Sequence, residues 1–210
     1  MRPETVLALD TSAAHCAAAL LLSDGTLLSR LELMDKGQAE RLLPLLEDLL
    51  AEAGLSWGDL TRLAVGTGPG NFTGVRIAVA AARGLALGLG IPAIGVTRLE
   101  ALAHGLPRPL TVIEDARRDE AYVQEFGTES STARLIALSD VAQGLATRFT
   151  TGSAAGPDAL PPAQPLAEAI AVIASTRPLP RARPAPFYLR GADAAPPADP
   201  PPVILPDPVP

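Results

Sequence analysis

The chain has 210 residues, 48% of them hydrophobic, with 23 acidic against 17 basic side chains and a formal net charge of −6. That length and apolar content suffice for a buried core in one domain or two small lobes and exclude wholesale disorder, while the acidic balance argues against a chain that grips nucleic acid unaided, because phosphate binding needs clustered positive charge. Cys16 is the single cysteine and can form no internal disulfide, Glu4 precedes only a short apolar run, and the longest apolar stretch is broken by Arg83 and glycines short of the ~20 residues of a bilayer span, so the expectation is a cytoplasmic protein.

Residues 6–9 are a continuous apolar run ended by Asp10, Thr11 and Ser12, which predicts a strand buried on both faces with three polar residues at its C-terminal edge. Residues 17–22 and 27–33 flank Asp24 and Gly25, a hairpin signal, with Leu27, Leu31 and Leu33 expected to face inward and Arg30 and Glu32 water. Apolar residues then recur at helical spacing from Gln38 to Glu52, with Pro44 inside and Gly54 as the stop. Residues 62–66 predict a strand, residues 74–89 a second helix and residues 91–96 another strand. Thr97 and Glu100 stand at capping-box spacing and open a short helix. Strands alternating with helices imply a sheet with parallel members.

The pattern restarts near residues 105–109, the best lobe boundary. Residues 110–113 and 121–126 predict strands around a charged turn from Glu114 to Glu120, so the second lobe begins with a hairpin, as the first does. Residues 134–138 and 148–151 add strands, Ser139 caps a helix between them, and residues 165–175 form one more helix. This echo favours a duplicated α/β architecture, with residues 1–105 as the first lobe, residues 106–192 as the second and smaller one, and residues 193–210 as a proline-rich extended or disordered tail.

Between the strand ending at Gly66 and the second helix lies Gly66-Thr67-Gly68-Pro69-Gly70-Asn71-Phe72-Thr73-Gly74-Val75-Arg76. Its glycines allow close backbone approach, and Asn71 or Thr73 can cap the helix. Such a turn suits an anion, a partner's backbone or a purely geometric connection. It is no P-loop, since Val75 and Arg76 follow Gly74 in place of Lys and Ser/Thr, and no dinucleotide fingerprint, since Asn71 or Thr73 falls where the third glycine belongs.

Asp10, Thr11 and Ser12 are candidates for a phosphate or a water-bound metal, against the plainer reading of an Asp that caps a turn. Glu114, Asp115, Asp119 and Glu120 are an acid–base or metal candidate, against a solvated loop already neutralised by Arg117 and Arg118. His15 and His104 lack zinc-helix spacing, and Cys16 reads as a small buried hydrophobe. No nucleophile with a supporting base stands out. The second helix, by contrast, is apolar nearly all round, with Ala and Gly over much of its surface and Arg76 and Arg83 seven apart on one edge. Burial on more than one side is expected of it, either within the chain or against another protein.

Leu9-Asp10-Thr11-Ser12, Glu40-Arg41-Leu42-Leu43-Pro44, the glycine turn, Asp115-Ala116-Arg117 with Glu120, and Tyr188-Leu189-Arg190 together resemble the TsaB (YeaZ) family. The resemblance runs to about Ala195. It implies an α/β fold of the actin-like ATPase (ribonuclease H-like) class, with two lobes, each a mixed sheet flanked by helices. It implies a non-catalytic scaffold subunit that binds and activates the threonylcarbamoyl transferase TsaD in forming threonylcarbamoyladenosine in tRNA. The ATPase TsaE is then a further partner, a homodimer forms in isolation, and tRNA is met only through the complex. The docking surface so implied is Arg41, Leu42, Leu45 and Leu49 of the first helix with Gly70, Phe72, Thr73, Arg76, Ala80, Arg83, Gly84 and Leu87, and a bulky charge at Ala82 or Gly84 is expected to break docking without unfolding the monomer. The His-x-x-x-His metal pair of the catalytic paralogue has no counterpart around Lys36 to Arg41, so no metal is expected. Asp10, Thr11 and Ser12 take the place of the fold's first phosphate loop without its glycine, so no cofactor beyond weak nucleotide binding is expected there. The competing readings are an independent ATP-dependent kinase-like or hydrolytic enzyme using Asp10 and Asp115, and a metabolite-binding module.

Overall fold

A computed structural model describes residues 4–144, 148–179 and 182–190. The proline-rich tail expected at 193–210 lies outside the described residues. In chain order the elements are β1 (Val6–Asp10), β2 (His15–Leu21), β3 (Leu27–Leu33), α1 (Gln38–Glu52), β4 (Arg62–Gly66), α2 (Phe72–Leu89), β5 (Ala93–Val96), α3 (Arg98–Ala103), β6 (Leu110–Arg117), β7 (Glu120–Phe126), β8 (Arg134–Ala137), α4 (Leu138–Gly144), β9 (Phe149–Thr151) and α5 (Leu166–Thr176).

They build two mixed sheets. The first has the order β3-β2-β1-β4-β5, with β1, β4 and β5 parallel and the β1-β2-β3 meander antiparallel. The second has the order β8-β7-β6-β9, again an antiparallel meander with a parallel strand beside its first member. In both, a helix links the third strand to the fourth. The echo visible in the sequence as a repeated hairpin is therefore a repeat of four strands and a helix.

Side-chain size decides which helix covers which face of the first sheet. Leu7, Leu9, Leu20, Leu63 and Val65 point to one face and pack on the leucines of α1 and on Val75, Ala78, Val79 and Ala82 of α2. The alternate residues Val6, Ala8, Ala17, Ala19 and Ala64 are small, and let the alanine-rich α5 lie close on the other face. Although α5 follows the second sheet in sequence, it packs on the first.

Two expectations fail at the edges. Leu31 and Leu33 are 61% and 82% exposed. β3 is the outermost strand, and α1 and α5 pack on it less than they pack on β2. Glu114 does not belong to a solvated turn. β6 continues through it to Arg117, so Glu114 is buried, and the turn is reduced to Arg117, Arg118 and Asp119, all with left-handed backbone (φ 62°, 56° and 57°).

The sheets are tied together by two features. Arg98, at the start of α3, donates from Nε to Glu114 Oε1 at 2.9 Å, and the other Glu114 oxygen accepts from the Ser153 amide at 3.0 Å. Residues 182–190 then cross as a strap. Pro184 abuts Gly95, the Phe187 amide donates to the Thr67 carbonyl at 2.8 Å, and Arg190 donates to the Ala116 carbonyl and pairs with Glu120.

Candidate functional site

The glycine turn and the Asp10-Thr11-Ser12 segment, two sequence candidates far apart in the chain, prove to be one structure. Thr11 Oγ1 donates to the Gly74 carbonyl at 2.6 Å and the Asn71 amide donates to the Ser12 carbonyl at 2.7 Å. The glycines are what permit this contact. A Cβ on Gly66 would lie 1.8 Å from Asp10 Oδ2, one on Gly70 2.3 Å from the Ser12 carbonyl oxygen, and one on Gly74 1.9 Å from the Thr11 carbonyl oxygen. Asn71 caps α2 by accepting from the Gly74 amide at 2.9 Å, which extends the helix back to Phe72. The turn is thus a clasp between the ends of β1 and β4.

Asp10, Thr11 and Ser12 are correspondingly buried. Asp10 Oδ1 accepts from the Ser12 amide, the Ser12 hydroxyl and His15 Nε2, the last at 2.7 Å. Burial disfavours the Asp10 carboxylate, but the hydrogen bond from His15 and the charge of Arg98 outweigh it, and the carboxyl sits below the ordinary carboxylate range. Asp10 therefore braces the interior. Of the three phosphate-loop candidates only Ser12 reaches the space between the sheets.

That space is a cleft of about 920 Å³ bounded by residues 12–14 and 69–72 on one side, residues 114–118 and Ser153 on the other, and residues 187–190 across it. The Arg98–Glu114 pair lies in its wall, with Arg98 Nη1 3.5 Å from Ser12 Oγ. Asp115, the other carboxylate of the enzyme reading, is exposed, and its Oδ1 accepts from the Arg117 amide at 2.8 Å. His15 is committed to Asp10, and His104 lies elsewhere, 3.3 Å from Gln164. Cys16 is buried as expected, and burial pushes its thiol up to about 11.

The outer surface of α1 and α2 is the second candidate. On α2, Phe72, Thr73, Arg76, Ala80, Arg83, Gly84 and Leu87 are exposed, Leu87 to 72%. By length and composition this helix could cross a bilayer, yet its inner side is built into the first core. The first helix requires correction. Leu42, Leu45 and Leu49 are at most 1% exposed and hold α1 on the sheet, so the outward positions of that helix are Ala39, Glu40, Leu43, Pro44, Glu47, Asp48, Ala51 and Glu52. Arg41 is turned to Glu32 and Asp48. Ala82 is fully buried, which leaves Gly84, with nothing within 4 Å of an added Cβ, as the position where a charge tests the surface without entering the core. Arg76 also differs from expectation. Its guanidinium lies 3.6 Å above the Phe72 ring and its Nε donates to the Tyr188 hydroxyl at 2.9 Å, so the strap is anchored to the first turn of α2. Local spacing in the sequence places neither Tyr188 nor Arg183 against α2.

Comparison with known proteins agrees with this architecture. Residues 32–190 match the family model described as TsaD: tRNA N6-adenosine threonylcarbamoyltransferase. The chain is 42% identical over 127 residues to the tRNA threonylcarbamoyladenosine biosynthesis protein TsaB of Escherichia coli, covering 58% of this chain and 54% of that one. It is 38% identical over 124 residues to the protein of the same name from Bacillus subtilis, covering 56% and 53%. The chain spans about half the length of the curated relatives it matches. The solved structure of YeaZ from Pseudomonas aeruginosa superposes with a TM-score of 0.71 at 31% identity, covering 89% of this chain and all of that one.

Proposed function

Since the chain belongs to the TsaB (YeaZ) family, we propose that it is a non-catalytic accessory subunit in the formation of threonylcarbamoyladenosine in tRNA, and that it binds and activates the transferase TsaD through the outer faces of α1 and α2. One observation carries the reading: α2 exposes a stripe of small and apolar residues, Ala80, Gly84, Leu87 and Gly88, on a helix with no acidic residue. Such a stripe lets a second helix approach closely, and water gains nothing from it. The partner is of the same family model as this chain, so a paralogous helix pair is its natural complement. In isolation the same face pairs two copies of the chain, and the transferase displaces the second copy. TsaE joins the assembled pair, and tRNA is met through the complex in the cytoplasm, in keeping with the net charge of −6.

The burial of Asp10 argues against the ATP-dependent enzyme, because the carboxylate that would meet a metal or phosphate has no exposed surface. The reading is tested in cells whose own copy is replaced by a plasmid copy. Loss of the chain is expected to deplete threonylcarbamoyladenosine from tRNA; the wild type restores it and Gly84→Glu does not. Full restoration by a Gly84→Glu protein present at normal abundance would contradict docking through α2.

A further inference from the structure

We infer that a pocket at the C-terminal end of α2 receives an apolar side chain flanked by a carboxylate, carried on the transferase that docks on α1 and α2. The inference rests on the docking reading above and adds the chemistry of the contact. The pocket holds about 310 Å³ between the last turns of α2, the start of β5 and the strap, with Leu87, Ile91, Pro92 and Pro184 as its apolar lining and Arg83 and Arg183 beside them. That volume is at the low end of the ~300–1,000 Å³ of small-molecule sites and suits one or two large side chains better than a nucleotide.

The arginines identify the occupant. Among the described residues, Arg30, Arg41, Arg62, Arg98, Arg134, Arg177 and Arg190 are paired with carboxylates, and Arg76, Arg108 and Arg148 lie over aromatic rings. Arg83, Arg117 and Arg183 have no such partner; Arg117 lies at the β6–β7 turn, whereas Arg83 and Arg183 flank the same pocket. In a chain of net charge −6, two guanidinium groups left without carboxylates beside an apolar hole complement an acidic, apolar segment from outside. The pocket is also continuous with the exposed stripe of α2 through Leu87, so a helix laid along the stripe reaches it with its end. A large side chain that fills a pocket and is shielded from water by the contacts around it is the usual form of an interface hot spot.

Calorimetric titration of the full chain into the transferase from the same cells, at low and moderate salt, tests this. Arg83→Ala and Arg183→Ala are each expected to weaken binding about tenfold at low salt and to flatten its salt dependence, and Arg83→Lys to recover part of the loss. Leu87→Ser is expected to weaken binding equally at both salt concentrations. Wild-type affinity and salt dependence in both Arg→Ala variants would overturn the pocket while leaving docking through α2 intact. Failure of the wild-type chain to bind would overturn both. A loss confined to self-association of the chain would assign the pocket to a second copy and overturn the assignment to the transferase.

Discussion

Replacing Gly74 by alanine should destabilise the protein even though alanine is the better helix former. Gly74 lies in the first turn of α2, and its added Cβ would stand 1.9 Å from the Thr11 carbonyl oxygen, against the 3.4 Å or more of an ordinary contact. The obstacle is backbone at the end of β1, so either that strand end or the helix must move by more than 1 Å. Overpacking of this kind costs roughly 1–3 kcal/mol. The movement also breaks the buried bond from Thr11 Oγ1 to the Gly74 carbonyl, a further ~1 kcal/mol. Helix propensity returns up to ~1 kcal/mol, leaving a net loss of about 1–3 kcal/mol. Gly84→Ala in the same helix is the internal control: its Cβ meets nothing within 4 Å, so only the propensity gain of up to ~1 kcal/mol remains. Urea unfolding of both variants beside the wild type reads the difference as shifts of midpoint in opposite directions at constant slope. If the two variants shift together, the clasp between the glycine turn and Thr11 is not what the glycines are for.

Asp10→Asn is expected to cost ~1–3 kcal/mol at neutral pH, because the amide keeps an acceptor for the three bonds to Oδ1 but loses the charge that faces His15 and Arg98 and puts an NH2 donor at the buried Oδ2 position, which has no partner. The Asp10 carboxyl is depressed in the folded state, so its contribution is present above the unfolded carboxylate value near 4 and is lost as pH falls through the folded value; the gap between wild type and variant should narrow in unfolding experiments below about pH 4. Arg98→Met leaves Glu114 buried without its cation and should destabilise by about 3–5 kcal/mol, whereas Arg98→Met with Glu114→Gln should lose less than the sum of the single changes in a double-mutant cycle. Cys16 should resist a thiol reagent at pH 8 in the folded protein and react at once in denaturant, because burial holds its thiol near 11.

Most elements were legible because each carries its own local signal. The Thr97–Glu100 capping box, the Asp24-Gly25 hairpin and the leucine spacing of α1 all act within a few residues, and these elements form where expected. What the sequence hid was decided over long distances. Leu31 and Leu33 alternate as an inward-facing strand should, and only the position of β3 at the sheet edge exposes them. Glu114 reads as part of a solvated turn until Arg98, sixteen residues earlier, is seen beside it. Leu42, Leu45 and Leu49 are as apolar as an interface would be, and sequence alone cannot tell which stripe of a broadly apolar helix meets the sheet. The glycine turn leaves an anion, a partner's backbone and a geometric connection open in the sequence; in the structure it packs on the end of β1, sixty residues away, which no local spacing announces.

On the proposed function, α2 presents a partner-binding face. Its most direct test is size-exclusion chromatography with light scattering on a mixture of this chain and the transferase TsaD, comparing the wild type with Gly84→Glu. A heteromeric peak with the wild type, and separate peaks with a Gly84→Glu protein whose unfolding midpoint matches the wild type, is the result expected. A heteromeric peak of undiminished amount with Gly84→Glu would show that the partner docks elsewhere.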